Sequence, residues 1–184
     1  MKKQIRFVNF TNLPREQLLL ILEKRNMASI REKMEHSDVI SPESHLSFCE
    51  KLQNDKTRLY FAIFFESKLV GVANYQNINK QNKTFEPGIY FFAEDSIVRS
   101  HITLALAKIR IHYDLENPLI KVKKGNERAL FFNTVKMGAS IYQEDNEYYY
   151  LKGPSLYSKN ENGKCYVDEY LKELELKYEI VTEF

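Results

Sequence analysis

A chain of 184 residues with 43% hydrophobic residues has the length of one domain and enough apolar side chains to bury a core, which excludes a disordered tail. Its 27 basic and 25 acidic residues give a net charge of +2 and are spread along the chain, so no basic stripe for polymeric nucleic acid exists. The longest aliphatic run, Leu18 to Leu22, is far too short to cross a bilayer, so no membrane partner is expected.

The predicted elements begin with Ile5–Phe10, whose alternation reads as a strand. Thr11 or Asn12 suits the cap of a following helix, with Pro14 near its first turn and Leu18, Leu22 and Arg25 on one face through Asn26. A second short helix is expected over Ala28–Glu35, and Ser41-Pro42-Glu43 starts a third with Leu46, Cys49 and Leu52 inward. Leu59–Phe65, Leu69–Ile78 and Thr84–Phe92 then form an antiparallel meander of three strands. Ser96–Tyr113 returns to helical period, followed by a strand at Leu119–Val122, a helix at Asn126–Met137, and last strands at Ser140–Asp145 and Glu147–Lys152. A loop rich in Gly, Ser and Asn (Gly153–Lys164) leads to a final helix, Tyr166–Val181, with Val167, Leu171, Leu174, Tyr178 and Val181 at a period near 3.5. That stripe is read first as packing on the same domain, with contact to the partner in a homodimer as the alternative. A meander followed by strand-helix-strand implies an α/β fold with a mixed sheet, parallel at the helix-linked step. The division expected is 1–152 for the main domain and 153–184 for the loop and C-terminal helix.

The two cysteines, Cys49 and Cys165, form no CxxC pair, and the residues after Met1 lead into a strand rather than a secretion signal, so the cytoplasm is the expected compartment. His45 and Cys49 lie at i, i+4, but two further ligands at suitable spacing are missing, so core packing is the reading and no metal is expected.

Phe10-Thr11-Asn12-Leu13, Leu22-Glu23-Lys24-Arg25-Asn26, His45-Leu46-Ser47-Phe48, Tyr60-Phe61 and Gly71-Val72 occur in that order. So spaced, and within this order of elements, the chain over roughly residues 7–152 resembles the GNAT N-acetyltransferase superfamily. Within it, the likeness is to the amino-sugar N-acetyltransferases of pseudaminic-acid biosynthesis, which serve flagellin modification. The resemblance implies acetyl-CoA as donor and a small-molecule amine, a nucleotide-linked amino sugar, as acceptor. It also implies site residues. Glu86, in Phe85-Glu86-Pro87-Gly88, stands where relatives carry a glutamate on the fourth strand and is the candidate base, although a solvated hairpin-edge carboxylate accounts for it equally. Pro87 has no N–H, which fits an interrupted ladder beside it. Arg99, Ser100 and His101 occupy the stretch that would meet the coenzyme's pyrophosphate at a helix N-terminus. Asn126 and Ala129, in Asn126-Glu127-Arg128-Ala129-Leu130, match the helix beside the coenzyme arm, where Asn126 is also simply a good cap. Arg25, Asn26 and His45 match substrate-side positions, where Arg25 alternatively complements a helix dipole.

Two family features are absent. No glycine occurs between Gly88 and Gly125, where relatives wrap a glycine loop around the pyrophosphate. The tyrosine that protonates the departing thiolate falls on Asn133 when counted from Asn126 and on Thr134 when counted back from Gly138, and neither is an acid of use. The residues therefore leave three readings open: a working acyltransferase on a nucleotide-linked amino sugar, a catalytically degenerate GNAT-like module that binds a sugar nucleotide or a protein partner, or an acyltransferase using another amine or another acyl donor.

Overall fold

The computed structural model describes residues 2–32, 34–92, 96–155 and 166–184. Cys165 and most of the predicted 153–164 loop lie outside the described residues. The alternating run at the start forms β1 (Lys3–Asn9), placing Ile5 and Phe7 on one face and Val8 on the other. Its continuation is not capped as expected. Asn9 accepts from the Thr11 N–H at 3.1 Å and turns Phe10–Asn12 into one 3₁₀ turn, so α1 (Arg15–Asn26) starts after Pro14 with no side-chain cap. The second helix shrinks to one turn, α2 (Ala28–Arg31). α3 (Pro42–Leu52) follows the expected start: Ser41 accepts from Ser44 N at 3.2 Å with Pro42 in the first turn.

The meander is β2 (Leu59–Phe65), β3 (Lys68–Asn79) and β4 (Thr84–Phe91), antiparallel throughout. The long helical run divides into α4 (Ser96–Ala105) and α5 (Ala107–His112). Beside the break the buried Tyr75 hydroxyl donates to Leu106 O at 3.3 Å, a carbonyl that also accepts from Arg110 N at 3.2 Å. Then come β5 (Asn117–Lys123), α6 (Glu127–Phe131), β6 (Ser140–Glu144) and β7 (Tyr148–Lys152). α6 does not run on as α-helix to Met137: residues Phe132–Lys136 form a π turn, ended by Gly138 at φ +70°.

The C-terminus corrects the sequence reading. α7 (Tyr166–Lys177) stops four residues before Val181, and Tyr178–Glu183 is a strand, β8, running parallel to β1 in register from Lys3↔Tyr178 to Val8↔Glu183. Tyr-Glu-Ile-Val-Thr-Glu is rich in β-branched and aromatic residues and alternates, and the free edge of β1 takes it. The result is one eight-stranded mixed sheet in the order β6-β7-β5-β4-β3-β2-β1-β8.

Helices cover both faces. On one, α1, α3 and the 3₁₀ turn bury Phe10, Leu18, Ile21, Cys49 and Leu52 against Val8, Ala62, Phe64 and Val72. On the other, α4, α5 and α7 pack Ile102, Ala105, Ile109 and Leu174 over Ile5, Phe7, Phe61, Ile63 and Phe85. A smaller cluster of Val122, Ala139 and Leu151, flanked by Ala129 and Leu130, seats α6 on β5 and β7. Among the described residues no helix is long and apolar enough to cross a membrane.

Candidate active site

The sheet is continuous except at its centre. β4 pairs with β3 from Glu86↔Gln76 to Phe91↔Gly71, yet on its other side it meets β5 only at Thr84↔Asn117 and Phe85↔Pro118. Past that point the two parallel strands share no register and form a wedge. Proline explains the site of parting: Pro87, two residues beyond Phe85 on the β4 edge turned to β5, lacks the N–H that would extend the ladder. Beyond Phe85, the β4 edge turned to β5 has backbone groups with no strand partner among the described residues.

Period-two alternation assigns the two faces of the wedge. Phe85 and Pro118 point to the side of α4, α5 and α6, and Glu86 and Lys121 point to the side of α1 and α3. Glu86 is therefore the first residue after the ladder ends, exposed, on the same face as Gly88 and Tyr90. Two amides accompany it that sequence reasoning missed. Asn74, opposite Gly88, fills the space a Cβ at Gly88 would need, since that Cβ would stand 2.6 Å from Asn74 Oδ1. Gln76, opposite Glu86, donates to the same Oδ1 at 3.2 Å. Their signal was available: two amides at i, i+2 share one strand face, and the hairpin register sets them against Gly88 and Glu86.

Arg25, Asn26 and His45 lie on α1 and α3, over the same face of the sheet, and each holds a protein partner. The Arg25 guanidinium donates to the carbonyls of His36 and Asp38, the former at 2.6 Å. Asn26 donates to Ile40 O at 2.8 Å and accepts from Ile40 N at 3.0 Å, and Arg31 donates to Ser37 O at 2.9 Å. The loop 34–41 is thus shaped by side chains of α1 and α2. Its near end reaches β5, where Glu35 pairs with Lys121 at 2.6 Å. The hydrogen bond between them lowers the Glu35 pKa and raises that of Lys121. Glu35, Lys121, Tyr148, Tyr150 and the turn 145–147 line an open depression of about 510 Å³, with the Lys121 ammonium 4.0 Å from the centre of the Tyr148 ring. His45 is buried and donates from Nε2 to Leu18 O at 3.0 Å, tying α3 to α1. Burial lowers its pKa, and burial raises the thiol of Cys49, 3.7 Å away, to about 11. A thiol that reluctant to ionise is no nucleophile. Among the described residues no group of three or more His, Cys, Asp or Glu is placed to hold a metal.

The opposite face carries the other named residues. Arg99 sits in the first turns of α4 with its guanidinium 5.5 Å from the Phe91 ring centre, and Ser100 follows it. His101 turns to the C-terminal segment, its Nδ1 hydrogen-bonded to the Tyr178 hydroxyl at 2.8 Å. Asn126 caps α6, accepting from Ala129 N at 3.1 Å. The π turn explains the two conflicting counts for the missing tyrosine, because it adds one residue to the helix between Asn126 and Gly138. Both candidates fold back on their own helix: Asn133 Nδ2 donates to Ala129 O and Thr134 Oγ1 to Leu130 O, each at 2.8 Å. Neither offers a proton to the wedge.

No family model matches the chain. It is 30% identical over 152 residues to the acetyltransferase PseH of Campylobacter jejuni subsp. jejuni serotype O:23/36 (strain 81-176), covering 80% of this chain and 92% of that relative. Its structure resembles the crystal structure of Campylobacter jejuni N-acetyltransferase PseH in complex with acetyl coenzyme A, with a TM-score of 0.63 and 26% identity over 80% of this chain and 96% of that one. The fold is also that of apo FdhC, a nucleotide-linked sugar GNAT, with a TM-score of 0.65 and 18% identity over 96% and 94% of the two chains.

Proposed function

From the premise that this chain belongs to the GNAT acetyltransferases, as its 30% identity to PseH establishes, we propose that it acetylates the amine of a nucleotide-linked amino sugar, with Glu86 as base. Acetyl-CoA is its co-substrate. The observation that carries the reading is the parting of β4 and β5 one residue before an exposed glutamate.

Each part of the chain then has a task. The open edge of β4 beyond Phe85 supplies unpaired backbone groups, which suit the amide-bearing pantetheine arm and a polarised thioester carbonyl. The first-turn N–H groups of α4 and the Arg99 guanidinium suit the pyrophosphate, without the close wrapping that glycines give. On the acceptor side, Glu86 takes a proton from the ammonium. The freed nitrogen attacks the thioester carbon, the C–N bond forms, the C–S bond then breaks, and the nitrogen's second proton passes through water to the departing thiolate. Water suffices because a thiolate is a good leaving group, which matches the back-bonded Asn133 and Thr134. Asn74 and Gln76 lie beside Glu86 as donors for acceptor hydroxyls, and the loop held by Arg25 and Asn26 closes the far side. We place this reaction in the cytoplasm, with its product destined for the sugars of flagellin.

Mass-detected acetyl transfer to a panel of 4-amino-sugar nucleotides tests the reading, beside calorimetry with acetyl-CoA. Transfer to a member of the panel supports it. Binding of a sugar nucleotide with no transfer to any amine would leave the degenerate binding module instead.

A further inference from the structure

A nucleotide-linked amino sugar brings groups of opposite charge: an ammonium, which Glu86 answers, and a diphosphate, which needs a cation on the same face of the wedge. The arginines there are spent on the protein itself. Arg25 donates to the carbonyls of His36 and Asp38, and Arg31 to Ser37 O at 2.9 Å. Lys121 is held differently. It stands on β5 three residues past Pro118, as Gly88 stands on β4 three residues past Phe85, so the two lie level on the walls of the wedge. Its ammonium has a single carboxylate partner, Glu35 at 2.6 Å, and the two side chains are 33% and 57% exposed. An ion pair that open to water holds weakly, and a ligand offering two phosphates can displace one carboxylate from it.

The surroundings select what does so. The depression of about 510 Å³ beside Lys121 is in the size range of small-molecule sites, and Tyr148 and Tyr150 form its aromatic wall. Asp145 is turned to its own turn, accepting from the Tyr150 hydroxyl at 2.7 Å and from the N–H groups of Glu147 and Tyr148. Glu35 and Glu147 also line the depression, so a bare anion is repelled unless it brings surface for the tyrosines as well. A nucleoside diphosphate has both parts. We propose that Lys121 is the specificity-determining residue for the nucleoside diphosphate of the acceptor, and that Glu35 is an internal stand-in for its phosphates, displaced on binding. This rests on the reading that the acceptor is nucleotide-linked. The exchange also takes the Lys121 ammonium away from the Tyr148 ring, 4.0 Å from its centre, and so opens that ring to the base.

The test is calorimetry on the full chain with adenosine, guanosine, cytidine and uridine diphosphates, against inorganic pyrophosphate and the free nucleosides. One nucleoside diphosphate should bind more tightly than pyrophosphate and than its own nucleoside. Lys121→Gln should weaken that binding by about 10- to 100-fold, the range of a hydrogen bond to a charged group, and Lys121→Arg should keep most of it. Glu35→Gln removes the competitor and should tighten it by about 2- to 5-fold. A pair that only braces the loop against β5 predicts the reverse sign, a loss in Glu35→Gln as in Lys121→Gln. That loss, pyrophosphate binding as tightly as any nucleoside diphosphate, or no nucleoside diphosphate bound at all, would overturn the proposal. The expected binding pattern without acetyl transfer to any amine sinks the reaction and keeps this site. Transfer to an amino-sugar nucleotide whose KM ignores Lys121→Gln sinks the site and keeps the reaction.

Discussion

The two sides of the wedge work with different materials. On the side of α1 and α3 the sheet presents side chains: Glu86 exposed, Asn74 and Gln76 beside it, and a loop held in shape by Arg25 and Asn26. On the side of α4 and α6 the polar side chains turn inward to their own structure, Asn126 as a cap, Asn133 and Thr134 as back-bonds, His101 toward Tyr178. What that side has to offer a ligand is mainly backbone, at a strand edge and at helix starts. Chemistry that depends on side chains is sensitive to point substitution, and recognition through backbone is sensitive to how elements are held.

The sharpest way to break this contrast is Glu86→Gln, which keeps size and hydrogen bonding but removes the base. Turnover should fall by about 10²–10⁴-fold where proton removal limits the rate, with the acetyl-CoA KM unchanged. Full activity would take Glu86 out of the mechanism and leave the acceptor side without a side chain for the chemistry. Next in size is Arg25→Ala, which releases the carbonyls of His36 and Asp38. The acceptor KM should rise about tenfold and stability drop by about 1–2 kcal/mol, read from the denaturant midpoint. An equal rise in the acetyl-CoA KM would show that the two sides are not separate.

A smaller effect comes from pH. The His45 pKa is lowered from 6.5 by burial, so below that value the unfolded chain binds a proton that the folded one resists. Stability from this group is complete above pH 6.5 and declines as pH falls toward the folded pKa. Melting temperatures compared at pH 7.5 and 5.5 should show the decline, and His45→Asn should flatten it. The smallest change is expected on the backbone side: Asn133→Phe should alter turnover by less than about twofold, within the range of ordinary surface changes. A large loss there would restore that turn to the chemistry.

The meander was legible in sequence because each strand carries its own alternation and turn residues, and so was the start of α3, whose Ser41-Pro42 signal is local. β8 was not. The spacing Leu171, Leu174, Tyr178, Val181 continues a helical stripe without a break, and only the free edge of β1, at the other end of the chain, selects strand after Lys177. The site divides in the same manner. Motif spacing named Glu86, and Pro87 hinted at an interrupted ladder, but the strand that β4 parts from, and the register Phe85↔Pro118 at which it does so, are set by tertiary pairing. Spacing also named Arg25, Asn26 and His45, while the carbonyls they hold are set by tertiary contact. The extra residue of the π turn left a trace in the sequence, as two counts that disagree by one.

An opening in the middle of a sheet carries a hazard as well as a use. Unpaired strand edges recruit other strands, and proteins guard them with proline, among other devices. Here Pro87 stands on the β4 wall of the throat, and the walls diverge above it. A polypeptide strand entering there finds a missing donor on the β4 wall at the narrow end, and farther out it can pair with one wall only by abandoning the other. A slender chain with a few amides, needing one wall alone, meets neither obstacle. The wedge thus sorts its visitors by shape and hydrogen-bond demand: guarded against the edge-to-edge association that leads to aggregation, and open to a thin ligand.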